Sequence, residues 1–208
     1  MSLALAYLVL VIKQGEVIAL LDLNGLRSLP SILQALHLFA IGGLCGWLGL
    51  MYPQLALPHS RLLPWALMSL CLFGGVDELT KLHLVIHQVD WRSVYLALLA
   101  AVPVIGWRDL IWLWHSHRSV VVWLVMGLTI FLLGGFGAEA LKGVIAAATY
   151  HSVQITFLSE HVRITFEETA ELLGESVILY AFTMLTMLLT ADQKTVTSPD
   201  GRSRISPP

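Results

Sequence analysis

The chain has 208 residues, of which 57% are hydrophobic and only 12% charged, with a formal net charge of −2. Soluble domains carry about a quarter charged residues. Half that share, with several apolar runs of about 20 residues, excludes an ordinary soluble domain. The near-neutral balance supplies no basic field, so a nucleic-acid partner is not expected. The mean hydropathy of +0.77 points the same way. The expected class is all-α: a polytopic membrane helix bundle of about six transmembrane helices in the lipid bilayer. It forms a single domain over residues 1–190, followed by a polar, disordered cytoplasmic tail over 191–208.

In chain order, the first segment covers residues 2–21. No positive region precedes it and no small-residue cleavage site follows, so it reads as a retained helix rather than a signal peptide. Lys13 and Glu16 interrupt it, and either pair at helical spacing or snorkel if the helix is interfacial. Asp22-Leu-Asn-Gly25 is turn chemistry, and Pro30 opens the second segment over residues 31–52. Gly42, Gly43 and Gly46 in that segment permit close helix approach. The third segment covers 62–87 and ends in charged residues. The fourth covers 93–107, with an extension to Trp114 past Arg108 and Asp109 as the alternative. Trp91, Trp107, Trp112 and Trp114 around it suit a membrane interface. The fifth covers 120–147 and the sixth 166–190. Cys45 and Cys71 lie in apolar runs and read as small buried hydrophobes without a disulfide.

Loop cations set the orientation. Arg61, Arg108, Arg118, Lys194, Arg202 and Arg204 fall on one side, and Arg27, Arg92 and Arg163 on the other. The positive-inside rule then places both termini in the cytoplasm.

The chemistry lies in acid at membrane depth, which is costly unless it faces an interior or a water cavity. Glu168, Glu171 and Glu175 are spaced i, i+3, i+7 and form one helical stripe flanked by Glu167. Their mutual repulsion calls for a cation or shared protons. The plainer reading is an acidic first turn favoured by the helix dipole. Asp77 and Lys81 can pair at i, i+4, with Glu78 and His83 on other faces. His83 and His87 have a spacing that can present two imidazoles to one metal, although Leu84 stands where a zincin-type motif has glutamate. Glu139 lies among the glycines of Gly134-Gly-Phe-Gly-Ala-Glu139 and either pairs with Lys142 or turns inward. His37, at mid-segment, is either an axial ligand to a haem or chlorophyll-type metal or a packed residue bonded to a backbone carbonyl. His151 and His161 read as surface or interfacial, and His115 and His117 as solvated. No nucleophile elbow, P-loop or dinucleotide fingerprint is present.

Three stretches in order carry a resemblance: Asp22-Leu-Asn-Gly25 with Ser28-Leu-Pro30, then Val76-Asp-Glu-Leu-Thr-Lys-Leu-His83, then Phe166-Glu-Glu-Thr-Ala-Glu-Leu-Leu-Gly174. Over residues 21–189 the chain resembles a broad group of uncharacterised bacterial multi-pass membrane proteins. Those carry an Asp-Glu-x-x-x-x-His-Glu motif in an early helix, a Gly-x-x-x-Glu in the penultimate one, and Glu-Glu-x-x-Glu-x-x-Gly opening the last. The resemblance implies a bacterial inner-membrane location, a shared fold and a shared site at Asp77, Glu78, His83, Glu139, Glu168 and Glu171. It implies no activity. Leu26 and Leu84 stand where the group has glutamate, and each removes a ligand.

Two classes of function follow. One is a non-enzymatic membrane subunit, either an accessory or cofactor-holding part of a larger complex with other membrane subunits, or a proton- or ion-conducting element. The other is a divalent-metal site built from His83, Glu78, Glu139, Glu168 and Glu171, with Asp77, Lys81 and Glu175 completing the polar core. Such a site would hydrolyse a lipid-like substrate.

Overall fold

The computed structural model describes residue 7 and residues 9–12, 28–51, 62–86, 88, 90–149 and 153–197. Among them every regular element is helical. The elements are α1 (Leu29–Met51), α2 (Leu62–Thr80), α3 (Leu82–Val85), α4 (Trp91–Ile105), α5 (Trp107–Ser116), α6 (Arg118–Thr149) and α7 (Val153–Thr197). The all-α class holds. Four helices are long and apolar enough to cross a bilayer, or five if the bent pair α4–α5 is one span. The expected first span, 2–21, lies mostly outside the described residues. Within it, Tyr7 and residues 9–12 are helical, and Tyr7 and Val11 are buried against Ile164.

Local chemistry explains most of the boundaries. Ser28 is buried before α1 and accepts a 3.5 Å hydrogen bond from the Ser31 amide, an N-cap with Pro30 in the first turn. The expected fourth segment is instead two helices bent by 66°. Pro103 removes an intrahelical bond and Gly106 takes the corner. A Cβ on Gly106 would stand 2.5 Å from the Leu63 side chain, so the corner is packed against α2.

The expected sixth segment, 166–190, is the largest departure. It is the middle of α7, a 45-residue helix that at 1.5 Å per residue extends about 68 Å. Glu167 and Glu168 therefore lie several turns inside the helix, not in a first turn, and the helix-dipole explanation for them falls away. At its other end α7 runs on to Thr197, past the expected close at 190; residues 198–208 of the expected tail lie outside the described residues.

The tightest helix pairs are α6–α7, α1–α2 and α1–α7. Small residues set each approach. A Cβ on Gly127 would meet the Gly174 carbonyl at 2.9 Å, and one on Gly134 would collide with Ala170. Ascending numbers on α6 thus meet descending numbers on α7, so these two helices are antiparallel. Gly42 faces Cys71, Gly46 faces Met68 and Gly49 faces Trp65, so α1 and α2 are antiparallel too. Gln34 meets Glu168 and His37 meets Glu175, so α1 and α7 run parallel.

Burial is inverted relative to a water-soluble bundle. Leu36, Leu50, Leu133 and Met187 are exposed, while Gln34, Asp77, Lys81, Arg163, Glu168 and Glu175 are buried. A compact apolar core does exist, at the other end of α1 and α7. It includes Ile41, Cys45, Leu48, Phe182, Leu185 and Leu189.

Candidate functional site

The polar residues gather around a cavity of about 840 Å³ between the α1–α2 and α6–α7 pairs and the α4–α5 elbow. That size lies within the range of small-molecule sites. One end is lined by Asp77, Glu78, Lys81, His83, Glu168 and Glu171; the other is apolar, with Leu67, Trp112, Leu124, Phe182, Leu185 and Leu189.

The first cluster closes the end of α2. Lys81 has φ 50°, and it is the only non-glycine with positive φ among the described residues. A left-handed lysine is strained and persists only where its surroundings hold it. They do so here from both sides. The Lys81 amide donates to the Asp77 carbonyl at 2.5 Å, and its ammonium donates to Glu78 Oε2 at 2.6 Å. Asp77 accepts from the His83 amide at 3.0 Å, pairs with His83 Nδ1 at 2.6 Å and accepts from the Tyr95 hydroxyl at 2.6 Å. The expected Asp77–Lys81 pair is therefore replaced by Lys81–Glu78 and Asp77–His83. The reason is that the helix breaks at Lys81, which ends the i, i+4 register and turns His83 back over Asp77. The helix that carries His83 ends at Val85, and His87, the other half of the expected imidazole pair, lies outside the described residues. Glu168 and Glu171 lie close enough for their charges to act on Lys81.

The second cluster is a wall between α1 and α7. Gln34 and His37 stand i, i+3 on α1, and Glu168, Glu171 and Glu175 stand i, i+3, i+7 on the parallel α7. Gln34 Nε2 donates to Glu168 Oε2 and to Glu171 Oε2, both at 3.1 Å. One amide thus bridges two carboxylates. Next along the wall, His37 Nδ1 lies 3.6 Å from Glu175 Oε2, beyond hydrogen-bond reach. Glu175 Oε2, His37 Nδ1 and Gln34 Oε1 are buried without hydrogen-bond partners. His37 thus faces a carboxylate instead of a backbone carbonyl. Across the cavity edge, a Cβ at Gly135 would stand 2.5 Å from Glu171 Oε1, so the glycine makes room for this carboxylate.

A third group lies on α7 below the wall. Arg163 is buried and donates to both Glu160 oxygens, at 3.1 and 2.8 Å, and also to Glu167. Glu167 is thereby neutralised within its own helix. His161, expected at a surface or interface, is half-buried; its Nδ1 bonds the Tyr7 hydroxyl at 2.7 Å, and its ring packs on Phe157.

The structure brings Asp77, Glu78, Lys81, His83, Glu168, Glu171 and Glu175 to one cavity. The expected metal set, which includes Glu139, falls partly outside the described side chains. Among the described residues no group of three or more His, Cys, Asp and Glu side chains has an arrangement that could hold a metal ion. His83 is committed to Asp77, away from Glu168 and Glu171. Glu139 lies in α6, with its side chain outside what the structure describes. Sequence reasoning missed Gln34, Tyr95 and Arg163 as site residues. Gln34 alone carried a usable signal, a lone amide inside an apolar helix.

No protein-family model, curated protein or solved structure matches this chain.

Proposed function

We propose that the chain is an integral membrane protein that holds a small molecule within its helix bundle, in the manner of an accessory or cofactor-holding subunit. One observation carries this reading. Glu168, Glu171 and Glu175 line a large cavity, and their partners among the described residues are a shared amide and a distant imidazole, not a lysine or arginine at ion-pair distance. Buried carboxylates in such a place are kept for what they bind or exchange. Nothing among the described residues pairs a nucleophile with a base and an oxyanion site, which disfavours an enzyme.

Membrane insertion is supported by the exposed apolar belt and by helix direction. Both α2 and α6 run against α1 and α7, so an odd number of crossings must separate α2 from α6. The bent pair α4–α5 then counts as one span, and α1 to α7 make five. With residues 2–21 as a sixth crossing, both termini would lie on one face, the cytoplasmic one by the positive-inside expectation.

The test is chemical analysis of what accompanies the protein. Wild type and Leu67→Trp, which fills the apolar part of the cavity, would be purified in native-lipid discs and their small-molecule extracts compared by mass spectrometry. We expect one near-stoichiometric compound in wild type and its loss in the variant. Identical extracts without such a compound would defeat the reading. Metal analysis of wild type beside Glu171→Gln tests the hydrolase alternative, which requires bound metal in the first and none in the second.

The amide bridge favours a second reading, proton exchange. Two carboxylates sharing one donor cannot both stay charged at low cost, so one proton resides between them. A carbonyl-stretch band of a protonated acid, lost in Glu171→Gln, would identify that proton by infrared difference spectroscopy.

A further inference from the structure

The cavity has the shape and polarity of an amphiphile, and its unsatisfied atoms specify the head group. Along α7 the lining changes from Glu168, Glu171 and Glu175 to Ile178, Phe182, Leu185 and Leu189. Opposite this stripe, α1 contributes Leu38, Ile41, Cys45 and Leu48. A ligand in this space meets carboxylates at one end and a mainly apolar lining beyond, with Asp109 and Trp112 of α5 as the polar exceptions.

At the polar end the two buried cations, Lys81 and Arg163, are already committed. Lys81 bonds Glu78, and Arg163 bonds Glu160 and Glu167. Glu175 is different. It is 3% exposed, it lines the cavity, and its Oε2 accepts no hydrogen bond. An unmet carboxylate oxygen requires a donor. Glu168 and Glu171 share a single amide and keep further acceptor capacity, since an ionised carboxylate offers about four lone-pair sites. The missing partner is therefore a cation rich in N–H donors. A primary ammonium supplies three donors and one positive charge. A quaternary ammonium has no N–H to offer the unmet Glu175 oxygen. An anionic head group would meet like charge.

Resting on the ligand-holding reading above, we propose that the cavity binds a long-chain primary amine. Its ammonium sits among Glu168, Glu171 and Glu175, and its hydrocarbon chain lies along α1 and α7 toward Phe182 and Leu189.

The test uses the full chain in lipid discs and four probes: dodecylamine, dodecanol, butylamine and magnesium ion. Binding is read by calorimetry and by the shift in unfolding temperature. Dodecylamine is expected to bind and stabilise wild type, with the alcohol and the short amine far weaker. Glu175→Gln should weaken dodecylamine about tenfold or more, the value of a charge-assisted hydrogen bond, while leaving dodecanol unchanged. Leu67→Trp should weaken both long-chain probes, which guards against a folding defect in the glutamine variant. Equal binding of dodecylamine and dodecanol would overturn the amine assignment and leave the ligand-holding reading standing. Stabilisation by magnesium alone would overturn the amine in favour of a metal. Failure of every probe, with nothing co-purifying, would remove both readings.

Discussion

The two charged regions beside the cavity are built on opposite plans. At the end of α2, each charge has a partner within six residues of chain: Lys81 holds Glu78, and His83 holds Asp77. Along α7, the three carboxylates from Glu168 to Glu175 meet Gln34 and His37, more than a hundred residues away, and among the described residues no lysine or arginine stands at ion-pair distance from them. The first arrangement closes a helix end and holds a strained backbone. The second leaves acceptor capacity open toward a cavity. The difference separates charge that serves the fold from charge retained at a cost to stability, the usual mark of a binding site.

Substitutions can break or sharpen that contrast. The largest effect is expected at the paired end. Glu78→Ala leaves buried Lys81 without its counter-charge and should cost about 3–5 kcal/mol. The double change Glu78→Leu with Lys81→Met should recover most of it. Unfolding titrations in mild detergent would measure both, and a near-neutral Glu78→Ala would erase the distinction between the regions.

Gln34→Leu should cost about 1–3 kcal/mol, because Glu168 and Glu171 lose the one donor they share. Adding Glu171→Gln restores an amide beside Glu168, so the double variant should be more stable than Gln34→Leu alone. A thermodynamic cycle over these two sites reads the coupling directly, and simple additivity would mean the bridge contributes nothing.

His161→Phe keeps the ring packing on Phe157 but loses the bond to Tyr7, for an expected cost of about 1 kcal/mol. Limited proteolysis near residues 7–12 would detect the loosened segment, and an unaltered cleavage pattern would count against this tie.

The smallest change carries the opposite sign. Glu171→Gln keeps the shape, removes one of the clustered charges and should be neutral or stabilising by less than about 1 kcal/mol. Its melting temperature should equal or exceed that of wild type. A marked loss would assign Glu171 to the fold and not to a ligand.

Much of this was legible in the chain itself. Apolar runs located α1, α2 and α6, because a helix needs only a continuous apolar stretch and a boundary signal such as Pro30 at the start of α1. The i, i+3, i+7 spacing put Glu168, Glu171 and Glu175 on one stripe, since helical geometry is local. The bend at Gly106 was signalled by Pro103, yet its angle was not, because packing against Leu63 fixes it.

Tertiary structure alone decided the rest. Nothing local reveals that Lys81 leaves the helix, since its left-handed backbone is held by Asp77, Glu78 and the turn of His83 together. Nor does spacing within α7 show that Gln34 spans two of its carboxylates or that Gly135 clears room for Glu171. Those outcomes depend on which helices lie side by side and in which direction. The sequence determined an apolar helical chain with acid at costly depth; only the parallel packing of α1 on α7 decided what Glu168, Glu171 and Glu175 meet, because their hydrogen-bonding and facing partners, Gln34 and His37, come from the neighbouring helix.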